Sequence, residues 1–179
     1  DFCLSRGLGD VYKRQAWSVQ ATRNRPMSPH SLALQPATED DLPFLLSLRR
    51  ATMTEHLARA GAPQDDEHHL ARIRYGFDGA QIVWLHGRPA GLFKTLRDPD
   101  GWRVVQIQID PAYQGQGLGR RLLTGLLRQA DQEGAAVTLS VLQGNPARRL
   151  YESLGFRAVE EAGLETEMRY EPGPPPAAP

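Results

Sequence analysis

The chain has 179 residues, 21 basic and 21 acidic side chains, and one cysteine. A lone cysteine excludes an internal disulfide framework, and no apolar run approaches the roughly 18 residues that a membrane span needs. Residues 1–15 resemble the translated adaptor of a transposon-based sequencing library, since GAT GTG TAT AAG AGA CAG encodes Asp10-Val11-Tyr12-Lys13-Arg14-Gln15. Residues 1–26 are therefore expected to be adaptor or upstream read-through without order, with the natural start at Met27 and with Ala16–Pro26 either read-through or a native extension. Cys3 falls in this part, so cysteine catalysis also drops out. Setting residues 1–26 aside leaves 16 basic and 19 acidic side chains and a net charge of −3. That is a poor match to sequence-independent nucleic-acid binding, which rests on neutralising phosphates. With no hydrophobic signal run either, the expected location is the cytoplasm and no membrane partner is expected.

Residues 27–170 are the size of one domain with a sizeable core. Ser31–Gln35 reads as a first strand. Thr38 with Asp41 three residues on resembles a capping box, opening a helix over Glu39–Ala60 that tolerates Pro43 in its first turn. Leu42, Leu45, Leu46, Met53 and Leu57 are its expected buried stripe, and Gly61-Ala62-Pro63 ends it. A shorter helix is predicted over Asp65–Phe77, with Leu70, Ile73 and Phe77 on one face. Gln81–Leu85, the turn His86-Gly87-Arg88 and Ala90–Leu96 form a hairpin, and Asp98–Gly101 turns into a strand over Trp102–Asp110. In that strand Val105, Ile107 and Ile109 should share one face, opposite Val104, Gln106 and Gln108.

A glycine-rich turn, Gln114–Arg121, then opens a helix over Leu118–Ala130 with Leu118, Leu122, Leu126 and Leu127 inward; Gly125 weakens it by about 1 kcal/mol. Val137–Leu142 is a further strand. Asn145 caps a short helix with Pro146 at its first position and Gly155 at its stop. Phe156–Glu160 and Glu165–Tyr170 complete the sheet. Residues 171–179 lack large apolar side chains and read as a disordered proline-rich tail. The order of elements implies an α/β fold, a mixed central sheet flanked by about four helices.

The glycine-rich turn carries the chemistry. Gly115, Gly117 and Gly119 let backbone N–H groups converge unobstructed by Cβ atoms, and the helix that follows adds its orphan N–H groups and positive dipole end, a site suited to a pyrophosphate. A dinucleotide fingerprint fails because Arg120 stands where the third glycine belongs, and a P-loop fails because Gly119 precedes Arg120-Arg121. What fits is Q/R-x-x-G-x-G/A, read as Gln114, Gly117 and Gly119. This pattern resembles the acyl-CoA-binding motif of the GNAT superfamily of N-acyltransferases. A second block, Asn145-Pro-Ala-Arg-Arg-Leu-Tyr151-Glu-Ser-Leu-Gly155-Phe156, is similar to that superfamily's other signature, at the usual distance downstream. The resemblance covers roughly Leu32–Tyr170.

The resemblance implies a GNAT-like fold and acetyl-CoA as co-substrate. The acetyl group would pass to a primary amine of a small molecule or peptide by direct attack. Backbone groups of Ile107, Gln108 and Ile109 would hold the pantetheine arm and polarise the acetyl carbonyl. The loop Gln114, Gly115, Gln116, Gly117, Leu118 and Gly119, with Arg120, would hold the pyrophosphate. Asn145 is first a helix cap and second a cofactor contact. Tyr151 would be the general acid that protonates the departing thiolate. No metal is implied. The glutamate that some members carry on the fourth strand is Arg103 here, so no base stands out. Glu55, His56, His68 and His69 lie on the early helices, where a solvated surface is the blander reading. Gln106 and Gln108 either orient an acceptor or bond within the sheet. A silent acyl-CoA sensor, or an interaction module working through the proline tail, are the rival readings, and a homodimer is left open.

Overall fold

The computed structural model describes residues 32–173, so the readings of residues 1–26, of Met27 as the start and of the tail beyond Gly173 lie outside it. Seven strands form one sheet in the order β1-β2-β3-β4-β5-β7-β6. They are β1 (Leu32–Pro36), β2 (Ala80–Leu85), β3 (Arg88–Asp98), β4 (Gly101–Ile109), β5 (Ala136–Leu142), β6 (Arg157–Ala162) and β7 (Glu165–Tyr170). Only β4 and β5 pair in parallel; every other neighbour is antiparallel. Among the described residues four α-helices flank the sheet: α1 (Leu42–Arg59), α2 (Asp66–Arg74), α3 (Leu118–Glu133) and α4 (Ala147–Ser153). None is long and apolar enough to cross a membrane.

Two apolar clusters show which helices cover which face. Leu122, Leu123, Leu126, Leu127 and Ala130 of α3 and Tyr151 of α4 pack with Val83, Phe93, Val104, Val137, Leu139 and Met168 of the sheet. Leu45 and Leu48 of α1 and Ile73 of α2 pack with Ala80, Ile82 and Leu92. Neighbours in a strand point to opposite faces, so Ile82 and Val83 join different clusters. Full burial of an aliphatic side chain is worth about 1.5–3 kcal/mol, and these clusters are where the fold gains most.

The boundaries follow local chemistry. The Thr38 N–H donates to Asp41 Oδ2 at 2.8 Å, and a short 3₁₀ turn over Glu39–Asp41 leads into α1. Asp65 caps α2, accepting from the His68 N–H at 3.1 Å. Helix α2 stops at Arg74, short of Phe77, because Tyr75 turns extended and Gly76 is left-handed at φ 61°. Lys94 of β3 completes this end. Its Nζ donates to the carbonyls of Arg72, Ile73 and Tyr75 at 3.3, 2.5 and 2.8 Å, satisfying oxygens that the helix end leaves orphaned. His86 and Gly87, both at positive φ, make the two-residue hairpin turn. Residues 171–173 still lie against α3: the Gly173 N–H and the Tyr170 hydroxyl both donate to Asp131 Oδ1 at 2.9 Å.

Several expectations about faces need correction. In α1 the fully buried residues are Leu45, Leu48, Arg49 and Leu57, with Leu42, Leu46 and Met53 only half-buried. The stripe is therefore rotated toward a charged residue that an apolar count passes over. In α2, His69 is buried at 1% exposure while Leu70 is half-buried, against a solvated reading of that histidine. In β4 the alternation breaks. The pairing with β3 jumps from Lys94↔Gln106 to Thr95↔Val104, leaving Val105 as an extra residue. This bulge changes the parity of the strand, so Val104 shares the α3-side cluster with Ile107 and Ile109 rather than opposing them.

Candidate functional site

The parallel pair β4–β5 is joined only from Gly101↔Ala136 to Val104↔Leu139. Past the bulge, β4 stays with β3 as far as Gly91↔Ile109, while β5 stays with β7 as far as Leu142↔Glu165. The two strands therefore diverge, and a cavity of about 550 Å³ occupies the opening. Residues 105–109 of β4 and 140–142 of β5 form its walls. The loop before α3, the start of α4, and Arg49, Thr52, Met53 and His56 of α1 complete it.

Ile107, Gln108, Ile109, Gln114, Gly115, Gly117, Leu118, Gly119, Arg120, Asn145 and Tyr151 all line this cavity; Gln116, although in the loop, does not. Gly115 and Gly117 sit at φ 75° and 73°, a conformation that opens the loop and that side-chain-bearing residues rarely adopt. Among the described residues the N–H groups of Gly115, Gln116 and Gly117 donate no hydrogen bond. The first-turn N–H groups of α3 have no acceptor within the helix. Together these donors form a concavity fit for an anion. A Cβ on Gly119 would stand 3.5 Å from Leu150, an ordinary contact, so the packing of α3 on α4 leaves room for one more carbon here. Leu118 is buried against Leu85 and Ala90, which leaves only its backbone for a ligand. Gln114 folds back, its Nε2 donating to the Ile109 carbonyl at 2.9 Å, and Arg120 bonds Ser153 Oγ at 2.7 Å.

Asn145 Oδ1 accepts from the Ala147 N–H at 2.9 Å, the expected cap, with Pro146 immediately before α4. Tyr151, on this short helix, packs edge-on to Phe156 with ring centroids 6.1 Å apart. Its hydroxyl makes no hydrogen bond among the described residues, and burial pushes its phenol up to about 12. Of the four early-helix candidates for a base, only His56 lines the cavity. Glu55 pairs with Arg59, and His68 pairs with Asp65 at 2.6 Å. His69 is buried without a partner for either ring nitrogen, its pKa lowered by desolvation first and then by the Arg49 charge. Arg103 pairs with Asp98 at 3.1 Å.

Other residues at the cavity were not singled out from sequence. Arg49 is 8% exposed with no hydrogen-bond partner for Nε, and its pKa falls to about 10 through desolvation and the neighbouring Arg72 charge. Arg72 Nη2 donates to the Val105 carbonyl at the bulge, 3.3 Å away. Glu165 is the sole carboxylate among the lining residues. Gln106 and Gln108, by contrast, are the pair expected from sequence either to orient an acceptor or to bond within the sheet; they are buried in the cavity wall, and among the described residues both polar atoms of Gln106 and Oε1 of Gln108 lack partners.

The profile of an acetyltransferase (GNAT) domain matches residues 65–172. The chain belongs to the GNAT acetyltransferase family. The [ribosomal protein bS18]-alanine N-acetyltransferase of Escherichia coli K12 is 50% identical over 73 residues, 40% of this chain and 49% of that protein. A mycothiol acetyltransferase of Propionibacterium freudenreichii is 27% identical over 184 aligned positions, 94% of this chain and 56% of that protein. The chain thus spans about half the length of the curated relatives it matches. The PaiA N-acetyltransferase of Thermoplasma acidophilum, solved with coenzyme A, superposes at a TM-score of 0.63 with 15% identity, over 79% of this chain and 99% of that one. An acetyltransferase of Thermus thermophilus gives 0.64 with 22% identity, over 81% and 99%. At these identities the two structures speak for the fold, and the mixed α/β sheet expected from sequence is that of this family.

Proposed function

We propose that this chain is an N-acetyltransferase, moving the acetyl group of acetyl-CoA to a primary amine of a small molecule or peptide by direct attack. One observation carries the reading: the open edge of β4, the loop before α3 and the Tyr151 phenol all meet in a single cleft. The relatives named as ribosomal-protein alanine and mycothiol acetyltransferases point the same way.

In this reading the unspent loop N–H groups of residues 115–119, with Arg120, hold the pyrophosphate of the donor, while the Gln114 N–H stays with the Pro111 carbonyl. The pantetheine arm lies along residues 107–109, whose backbone has lost its β5 partner and can bond an extended ligand as a further strand. Backbone groups alternate sides along a strand, so those of Gln108 face β3 and those of Ile107 and Ile109 face the opening; because the Gln114 amide already holds the Ile109 carbonyl, the groups left to the donor are those of Ile107 and the Ile109 N–H. Preorganised donors of this kind are commonly the largest catalytic contribution. The amine nitrogen bonds to the acyl carbon, and the carbon–sulfur bond breaks with its electron pair on sulfur. The new amide nitrogen releases one proton for each thiolate formed.

Tyr151, with its phenol held at about 12, is fully protonated at neutral pH. A simple alkyl thiol lies near 8.5, so complete transfer from phenol to thiolate runs uphill by roughly 5 kcal/mol. Tyr151 therefore works as a hydrogen-bond donor to the departing sulfur, and any proton it gives up returns from the amine nitrogen. His56 and Glu165, which line the same cleft, are placed to take the amine proton through water.

Calorimetry with acetyl-CoA, followed by turnover against amines, amino acids and peptides, tests this directly. Micromolar binding and acetylation of at least one class is the expected result. Failure to bind acetyl-CoA would overturn the reading, and tight binding without turnover across a broad panel would leave a sensor instead.

A further inference from the structure

Arg49 is an anomaly in energetic terms. Arg49 as a residue is 8% exposed, its buried Nε has no partner and it makes no ion pair among the described residues, an arrangement that costs the fold stability. It sits on α1 facing the cavity, not in the apolar cluster beneath that helix. Arg72 stands close enough to repel it, and Lys94, buried behind α2, adds a third positive charge to the same neighbourhood. Among the described residues the one opposing charge at the cavity is Glu165, which attracts Arg49 across the opening yet makes no ion pair. Glu165 faces Leu142 in the β5–β7 register, at the diverging end of β5. A smaller pocket of about 120 Å³ adjoins here and shares Arg72, Val105, Ser140 and Glu165.

The pyrophosphate of the donor is accounted for by the loop before α3, the 3′-phosphate lies beyond it on the side away from the thioester, and the pantetheine arm that leads to the thioester is uncharged. An anion that offsets Arg49 and Arg72 must therefore arrive with the acceptor. We propose that the α1–α2 side of the cleft is an acceptor subsite for an amine that carries its own anionic group, a carboxylate or a phosphate, with Arg49 and Arg72 holding the anion and Glu165 facing the amine. The planar guanidinium matches either anion through paired N–H donors, which a lysine could not do. Gln106 and Gln108, with unpaired amide atoms in the same wall, supply neutral polar contacts between the two ends. A plain peptide N-terminus offers no anion near its amine, so the subsite separates this chain from an acceptor of that kind. The inference rests on the acetyl-transfer reading above.

The test compares β-alanine, aminoethyl phosphate and the neutral β-alaninamide as acceptors, with acetyl-CoA affinity measured separately by calorimetry. The wild type should acetylate at least one anionic amine with kcat/KM about tenfold to a hundredfold above the amide. The carboxylate and phosphate arms tell which anion the subsite takes. Arg49→Met should bring the ratio to parity, leave acetyl-CoA affinity unchanged and raise the melting temperature, because a buried unpaired charge is gone. Glu165→Gln should raise KM for every amine without changing the preference for the anion. A wild type that binds acetyl-CoA yet prefers the amide, or acetylates none of the three, overturns the subsite. So does an Arg49→Met protein that loses acetyl-CoA binding, since the arginine then serves the donor. Absence of acetyl-CoA binding by the wild type, read before any acceptor is added, overturns the acetyl-transfer reading and this subsite with it.

Discussion

At Gly101 the strands β4 and β5 run so close that a Cβ would stand 2.2 Å from the Ala136 carbonyl oxygen, whereas at Ile109 no ladder bond joins them at all. The same two strands thus make a closed end and an open end. At the closed end Val104, Val137 and Leu139 pack into the larger cluster, and backbone groups are satisfied across the sheet. At the open end the wall holds Gln106 and Gln108, buried and lacking partners, and the nearest charged residue of α1 is the unpaired Arg49. Buried polar groups without partners cost about 1–3 kcal/mol each, so the open end is destabilising on its own. It persists because the closed end and the helices on both faces fix the strands that diverge from it. A ligand that completes those hydrogen bonds would recover part of the cost, which is what a binding site built from a parted sheet requires.

The largest expected effect breaks the open end. Gly117→Asp should weaken acetyl-CoA binding by about a thousandfold or more, since a carboxylate would face phosphate where N–H donors now converge. Nothing lies within 4 Å of a Cβ there, and aspartate tolerates positive φ better than most residues, so the variant should fold. Circular dichroism with calorimetry separates the outcomes, and unchanged affinity in a folded variant would remove the loop from the donor site.

Next in size is damage to the closed end. Gly101 lies at φ 149° against the Ala136 backbone, so Gly101→Ala should cost about 3 kcal/mol of stability through strain and collision. Urea unfolding monitored by tryptophan fluorescence would measure it. A loss below about 1 kcal/mol would show that the two strands can separate further without penalty, and that the closed end is not what holds the opening.

A smaller effect belongs to the chemistry inside the cleft. Tyr151→Phe keeps the ring against Phe156 and removes the hydroxyl; single-turnover acetylation should slow about tenfold to a hundredfold while acetyl-CoA affinity stays put. Equal rates would make Tyr151 a packing residue. Its raised pKa also sets a sign. The phenol stays protonated until the pH nears about 12, so the wild-type rate should show no alkaline loss at the ordinary tyrosine pKa near 10. An alkaline decline centred there that vanishes in Tyr151→Phe would contradict the burial.

The smallest effect is a gain away from both ends. Gly125 is exposed in the middle of α3 with nothing within 4 Å of a Cβ, so Gly125→Ala should stabilise by about 1 kcal/mol and leave acetyl-CoA binding untouched. A change in affinity would show that the stiffness of α3 reaches its N-terminal loop.

What was legible in the sequence is what neighbours along the chain decide. The Asn145 cap, the His86-Gly87 turn, the β7 strand and the positions of Gly115, Gly117 and Gly119 each rest on a few adjacent residues whose backbone preferences agree. The leucines of α3 declare their buried face through spacing alone, and Leu123 and Ala130 merely widen it. The two family motifs belong to the same class, because each is a local device for holding backbone donors or a phenol.

Tertiary structure decided the rest. The bulge at Val105 is a mismatch between two strands, and β4 read alone looks like a regular alternation. Lys94 is buried only because the carbonyls at the end of α2 come down onto β3, a pairing that no spacing along the chain reports. Arg49, Arg72 and Glu165 come from α1, α2 and the last strand, and each taken singly reads as a solvated surface charge. Their meeting depends on the strand order of the whole sheet. Local backbone preference could place the glycine loop, whereas the charged side of the cleft is assembled by long-range packing, because side chains from three elements distant in sequence meet only through the order of the strands and the helices laid on them.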